Sequence, residues 1–356
     1  MTSTPPIAHQ VAGHAGFLNQ VEDSDGSLLV KFAHIKEVLF YQTIVADDAL
    51  APLRPIVPAF LGTLKLEGQL AETGDTGEPA RITPVEGIPQ REFIVLENLT
   101  YRFDKPNVLD VKLGTILYDE DATPEKRARM EAAARATTSG ETGMRLTGFQ
   151  VYDLAATKPI ITTKEYSKLL KSAELPQGVA RFFPLTTDTV PPEPSQTAAS
   201  QVTASQTTTS STVGTSGTGL PADILLPILQ NIREDVEEIR DRVAEVHVRM
   251  RSASLLVIYE ADWERAREGL RLLEEAISKG EQPEDEDYEE DENEDEASGD
   301  EDEQRPPLPY TVKLIDFAHS TPVPGQGPDE GVLKGLATFM ELLDGRIEQV
   351  QKHMPT

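Results

Sequence analysis

Asp110 and Lys112 stand two residues apart in PNVLDVKLG (106–114). Side chains alternate along a strand, so a strand here puts both on one face and turns Val111 and Leu113 to the other. A carboxylate and an ammonium fixed in this way can orient a hydroxyl and hold a transferring phosphoryl group. An ion pair at a sheet edge has the same sequence, and the pair alone is more simply read so. Asp316 ends the apolar run of LIDFAH (314–319). A strand-end carboxylate suits the Mg2+ carried by ATP, a hard ion that takes oxygen ligands, or it caps a turn. Lys31, in SLLVKFA (27–33), follows the glycine-containing HQVAGHAG (9–16). A glycine loop and then a strand lysine can cover and pair nucleotide phosphates, with Glu37 placed to hold the lysine. Glycines also mark ordinary hairpins, and a surface ion pair would look the same. Lys126, Arg127, Arg129 and Arg135 form a basic run after the DVK strand. Arg and Lys suit phosphate oxygens, although Glu125 and Glu131 fit a merely solvated face.

These residues need a scaffold, and the patterning supplies one. FIVLENL (93–99), VLDVKLGTILY (108–118) and LTGFQVYD (146–153) read as strands, as do SLLVKFA, SLLVIYEA (254–261) and YTVKLIDFA (310–318). HIKEVLFYQTIV (34–45) is helical in pattern. TPEKRARMEAAARATT (123–138) predicts a helix with Thr123 as N-cap and Pro124 at its first position. Ile224, Ile228, Ile232, Val236, Ile239, Val243 and Val246 recur every three or four residues, a buried stripe on a helix from about 221 to 250. Further helices are predicted over 263–279 and from about Asp329, the last with Val332, Leu336, Phe339, Met340, Leu343 and Ile347 inward.

The chain has 356 residues and a formal net charge of −28. Residues 281–304 hold 16 acidic and no basic residues; without them, 45 acidic face 33 basic residues. That tract repels itself and is expected to be disordered. A second low-complexity stretch, 191–219, carries one charge and reads as a flexible Ser/Thr linker. Neither short segment after it has enough core alone, so both tracts are expected to be insertions into one body. The absence of cysteine excludes disulfides, a thiolate zinc site and a cysteine nucleophile, and fits a reducing compartment. No apolar run reaches the ~18–20 residues of a membrane helix, and a secretory signal is not expected at MTSTPPIAHQ.

Taken in order, the blocks resemble the inositol polyphosphate kinase family, and within it the multikinases of fungi. PNVLDVKLG fits the family's PxxxDxKxG signature. QVAGHAG, LENLT (96–100), TPEKRARM, RLTGFQVYD (145–153), SASLLVIYE (252–260), LIDFAHS and GPDEGVLKGL (327–336) are similar to its other blocks and span the chain outside the two tracts. The resemblance implies an α+β, two-lobed, protein-kinase-like fold with a small helical inositol-phosphate-binding insertion. The N-lobe would be 1–100 and the C-lobe 101–356, with the substrate segment at about 119–145. Adenine would bond the backbone at Glu97 and Leu99, and Lys31 would pair ATP phosphates. Asp110 would contact the ribose or the reactive hydroxyl, and Lys112 the transferring phosphate and the substrate. Asp316, with Ser254 nearby, would bind Mg2+, for which Mn2+ can substitute. Lys126, Arg127, Arg129 and His319 would contact inositol phosphates. Two positions depart from the family pattern: Ala253 precedes Ser254 where a second serine is usual, and Gln150 stands where multikinases can carry a basic residue.

The implied reaction is ATP-dependent phosphorylation of inositol 1,4,5-trisphosphate at the 6- and 3-hydroxyls, giving the pentakisphosphate. A monomer in the nucleus or cytoplasm, without nucleic-acid binding, is expected. The acidic tract also suits a scaffold for basic nuclear proteins, alongside catalysis. A protein kinase is disfavoured, because the chain has no HRDxxxxN or APE sequence.

Overall fold

A computed structural model describes residues 18–20, 26–65, 69–70, 82–83, 92–188, 217–280 and 306–354. The glycine loop at 9–16, the acidic tract and all of the Ser/Thr tract before Gly217 lie outside the described residues.

The N-terminal lobe contains β1 (Leu18–Gln20), β2 (Leu28–Phe32), α1 (Ile35–Ala46), β3 (Phe60–Lys65), the short pair β4 (Gln69–Leu70) and β5 (Ile82–Thr83), and β6 (Glu92–Glu97). Four of its strands form an antiparallel sheet in the order β1-β2-β6-β3. α1 buries Val38, Phe40, Tyr41 and Ile44 together with the carboxylate of Glu37. The next segment, Asp48–Ile56, is a 3-10 helix that the periodicity did not predict. Pro52 and Pro55 have no amide hydrogen to donate, which works against a regular α-helix there.

Residues 98–105 lead to the second lobe. It comprises β7 (Pro106–Leu113), α2 (Pro124–Ala136), α3 (Ser139–Thr142), β8 (Met144–Asp153), β9 (Lys158–Thr162), α4 (Lys164–Leu169), α5 (Leu175–Phe182), α6 (Ala222–Glu245), β10 (Val248–Arg251), β11 (Ser254–Glu260), α7 (Trp263–Lys279), β12 (Tyr310–Ile315), β13 (His319–Pro322) and α8 (Glu330–Gln351). Five strands make an antiparallel sheet in the order β12-β11-β7-β8-β9, and β10 pairs separately with β13. β11 and β12, which flank the acidic tract in sequence, are neighbours in this sheet.

One face of the sheet is covered. Leu109, Val111, Leu113, Leu255, Val257 and Tyr259 join the main core with the predicted stripe of α6 and with Val332, Leu336, Phe339 and Leu343 of α8. Each such side chain contributes about 1.5–3 kcal/mol by leaving water. Several predicted elements end earlier than expected, two of them by five residues. β7 stops at Leu113 rather than 118, because Gly114 takes φ +100, a left-handed conformation that glycine adopts readily. α6 stops at Glu245 rather than 250, because Val248–Arg251 is drawn into the β10–β13 ladder. The N-terminus of α8 then approaches the backbone before β8. A Cβ on Gly335 would lie 2.2 Å from the carbonyl oxygen of Gly143, so only glycine permits this contact.

The lobes meet around Phe317, which is fully buried against Phe40 and Tyr41 of α1, with ring centroids 5.1 and 5.4 Å away. Lys313 adds a second tie, its Nζ donating to the Pro55 carbonyl at 2.7 Å. Among the described residues, no helix is long and apolar enough to cross a membrane.

Candidate active site

The other face of the β7–β11 pair carries the predicted chemistry. Ser254 pairs with Lys112, Leu256 with Asp110 and Ile258 with Val108. The face therefore changes character along its length. At one end Val108 and Ile258 join Phe103, Leu99, Leu256 and Leu308 in a small apolar cluster beside the inter-lobe connection. Two steps along it lie Asp110, then Lys112 and Ser254. An apolar floor running into charged groups suits a ligand with a flat apolar end and an anionic end.

The connection is locked by its own side chains. Asn98 donates from Nδ2 to the Gly26 carbonyl at 2.8 Å and accepts from the Thr100 amide at 3.1 Å. The Glu97 amide donates to the Ala59 carbonyl at 3.1 Å, and Glu97 Oε1 accepts from the Ala59 amide at 3.1 Å. Of the Glu97 backbone, the carbonyl is thus the group that could receive an adenine amino group.

Lys31 reaches across from β2. Its Nζ donates to Glu37 Oε1 and to Asp316 Oδ1, both at 2.7 Å. Burial disfavours its charge, but Asp316 and Glu37 outweigh burial and hold the ammonium well above its ordinary pKa. Asp316 lies just past the end of β12 at φ +66, a conformation that Asp tolerates better than most residues. Its recessed setting opposes ionisation, yet Lys31 and Lys112 pull its carboxyl below the usual range. Asp110 behaves oppositely. Burial pushes its carboxyl up, against the pull of Lys112 and with the like charge of Asp316 adding to it. Asp110 Oδ1 and the Ser254 hydroxyl are both buried without a well-formed hydrogen bond. Ser254 is nevertheless near enough to Asp110 to favour its ionised form slightly.

These unpaired oxygens bear on a cation. Asp110, Asp316 and Ser254 offer oxygen donors only, the set a hard divalent ion such as Mg2+ or Mn2+ prefers. Among the described residues, no group of three or more His, Cys, Asp or Glu could hold a metal by itself. Phosphate oxygens of a bound nucleotide would have to complete the shell, as they commonly do for Mg2+.

The Lys112 side chain makes no hydrogen bond or ion pair among the described residues. Opposite it on β8 stands Arg145, which the motif reading had not singled out. Burial lowers the Arg145 pKa and Asp110 partly restores it, so the guanidinium lies within the field of the same carboxylate. Alternation could have found it, since Met144 and Leu146 on either side are fully buried. The pairing with Lys112, however, depends on a register shift between Asp110 and Val111 that the sequence does not announce.

The basic residues of α2 divide. Thr123 caps the helix, its hydroxyl accepting from the Lys126 amide at 3.2 Å, as predicted. Lys126 is half-buried on the inner face with Met130, while Arg127 and Arg129 are exposed. Arg127 donates to the carbonyls of Ala122 and Glu120 and lies over the Tyr118 ring at 5.7 Å. It fastens α2 to the preceding loop. His319 opens β13 with Nδ1 2.8 Å from Asp119 Oδ2. Gln150 is buried and donates to the Pro106 carbonyl at 2.9 Å, a structural use that fits the departure noted at this position.

A two-lobed α+β fold with lysines, an arginine and carboxylates converging beside an apolar cluster defines a small-molecule kinase of protein-kinase-like architecture. Residues 93–344 match the sequence model of the inositol polyphosphate kinase family. The chain belongs to that family and is a kinase. It is 28% identical over 373 residues to the inositol polyphosphate multikinase of Saccharomyces cerevisiae, covering 94% of this chain and 96% of the relative. It is 39% identical over 174 residues to the inositol polyphosphate multikinase of Schizosaccharomyces pombe, covering 49% of this chain and 61% of that protein. A crystal structure of the Saccharomyces cerevisiae inositol phosphate multikinase with ADP and Mn2+ superposes with a TM-score of 0.56 at 24% identity, covering 90% of this chain and all of that one. This likeness establishes the fold.

Proposed function

We propose that this kinase acts as a multikinase on inositol 1,4,5-trisphosphate, adding phosphate at the 6- and 3-hydroxyls to reach the pentakisphosphate. The observation that carries the proposal is the sharing of one sheet face by Asp110, Lys112 and Arg145, beside the Lys31–Asp316 pair. Adenine lies on the apolar cluster and bonds the Glu97 carbonyl and the Leu99 amide. Lys31 pairs with the nucleotide phosphates. The substrate hydroxyl oxygen bonds to the γ-phosphorus as the bond from that phosphorus to the bridging oxygen breaks, and ADP leaves. Asp110 accepts the hydroxyl proton at Oδ1, the oxygen left without a protein partner. Lys112 and Arg145 hold the moving phosphoryl group and a neighbouring substrate phosphate. Lys126, Arg129 and His319 hold the remaining phosphates. Asp316, Asp110 and Ser254 would hold Mg2+, which supplies charge neutralisation on the nucleotide. Positioning and charge account for most of the rate, as in other phosphoryl transfers.

The proposal extends to a monomer working in the nucleus, where the acidic tract engages basic proteins. The test incubates purified protein with labelled ATP and a panel of inositol phosphates and locates each new phosphate. Label at the 6- and 3-positions of the trisphosphate supports the reading. Label confined to an already hexakisphosphorylated ring would overturn it.

A further inference from the structure

We propose that Asp119 is a positioning residue: it fixes the ring of His319 so that Nε2 is the nitrogen presented to the inositol phosphate. This rests on the role given to His319 above. The backbone at His319 is held independently, because β13 pairs with β10 in the register His319 to Arg251, and Phe317 is buried two residues earlier. The ring itself is not packed in place, since its side chain is 41% exposed. Asp119 Oδ2, 2.8 Å from Nδ1, is its one polar partner among the described residues.

A carboxylate has no proton to give, so Nδ1 carries the hydrogen and Nε2 is the nitrogen left for a ligand. In the neutral ring Nε2 accepts from a hydroxyl; in the charged ring it donates to a phosphate. Without Asp119 the ring can turn over and present either nitrogen.

Asp119 is itself well placed to set an orientation. Its side chain is 13% exposed and lies 3.8 Å from Lys36 Nζ, which also pairs with Asp121 at 3.2 Å. The carbonyl of Asp119 accepts from the Ala122 amide at 3.1 Å, closing a turn. Arg127 seals the same loop by donating to the carbonyls of Glu120 and Ala122. Asp119 thus stands where α1, the loop before α2 and the start of β13 meet. Lys36 follows Ile35 at the N-terminus of α1, one residue before the Glu37 that holds Lys31.

The experiment compares Asp119→Ala, Asp119→Asn, His319→Ala and the double Asp119→Ala/His319→Ala variant, with Asp121→Asn as control. One arm records the imidazole nitrogens by long-range proton–nitrogen NMR on the full chain without ligand. The expected spectrum shows His319 protonated at Nδ1 in the wild type and mixed in Asp119→Ala. The second arm measures kinetics with inositol 1,4,5-trisphosphate. Asp119→Ala should raise the KM for the inositol phosphate about tenfold, the lower range for a lost charged hydrogen bond, and leave the ATP KM unchanged. Asp119→Asn, whose Oδ1 can still accept from Nδ1, should recover most of that loss. The double variant should be no worse than His319→Ala, because the two act as one unit, and Asp121→Asn should match the wild type. An unchanged imidazole spectrum in Asp119→Ala, or losses that multiply in the double variant, would overturn the proposal. Failure of the wild type to phosphorylate any inositol phosphate would instead sink the functional reading, while the ligand-free spectrum still judges Asp119 by itself.

Discussion

Asp110 and Asp316 are two carboxylates in one site whose surroundings push them in opposite directions. Asp316 is held ionised by Lys31 and Lys112, whereas Asp110 is penalised by burial and keeps one oxygen unpaired. The penalty has a sign in stability. A carboxyl whose pKa is raised on folding favours the folded state below its unfolded value and costs stability as pH rises through the folded one. Ionising Asp110 in the native chain therefore costs stability. Asp110→Asn removes that charge and should abolish turnover while raising Tm at neutral pH. Thermal melts at several pH values check this, since the advantage should shrink as pH falls toward ~4. A variant that melts below the wild type at pH 7 would mean that Asp110 is better satisfied than its geometry indicates. Asp316→Asn should keep the fold and lose most divalent-ion-dependent activity; near-normal turnover at saturating Mg2+ would place the metal elsewhere. Asp110 and Lys112 were legible because they share a short motif on a strand with clear alternation, and Lys31 and Asp316 because each stands in or just after an apolar strand run. Arg145 and Asp119 were not. The first needs the β8 register, and the second needs a contact across 200 residues.

The elements themselves were largely legible for the same reason. The stripes of α6 and α8 and the alternation of β7, β11 and β12 are strong periodic signals, and their residues are buried as predicted except Ile347, which is buried only in part. What escaped was short or aperiodic: the proline-bearing 3-10 segment after α1, edge strand β9, and the four-residue strands β10 and β13. The helix α2 shows how an element converts spacing into roles. At 3.6 residues per turn, Arg127 points about 100° away from Lys126, and the structure uses that direction to bind the loop carbonyls. Lys126→Ala with Arg129→Ala should raise the inositol phosphate KM strongly and spare the ATP KM. Each charged hydrogen bond lost is worth roughly 1.5–3 kcal/mol where bound ligand desolvates it and far less where it stays in water. Arg127→Ala should instead lower stability by about 1 kcal/mol, with a smaller kinetic effect. Steady-state kinetics on both substrates, paired with thermal melts, separate the two roles. A larger KM effect from Arg127→Ala than from the double variant would mean that α2 presents its other side to the ligand.

At the scale of the whole molecule, a polyanionic substrate must enter a protein of net charge −28. The basic groups of the site act locally, but the approach is governed by the summed field. Residues 285–303 contribute fourteen acidic side chains and no basic ones to that field. The folded body closes its own structure on either side of them. α7 ends at Gly280, which takes the left-handed C-cap conformation. On the far side the Pro306 carbonyl accepts from Arg102, and Leu308 packs against the cluster of Phe103, Val108 and Ile258. Pro309 lies so close to Gly269 of α7 that a Cβ there would come within 2.7 Å of its nitrogen. None of these contacts needs the acidic residues, and each doubling of loop length changes closure entropy by only ~0.6 kcal/mol. Deleting 285–303 should therefore leave Tm and kcat close to those of the full chain. It should also lower the KM for the inositol phosphate at low ionic strength, because fourteen repelling charges are gone. That gain should fade as salt is raised, since the Debye length falls from ~30 Å at 0.01 M to ~8 Å at 0.15 M. The check is KM for inositol 1,4,5-trisphosphate across a salt series in both proteins. Curves that stay parallel would mean that the tract's field does not reach the cleft, and a fall in kcat would mean that the tract takes part in the catalytic cycle.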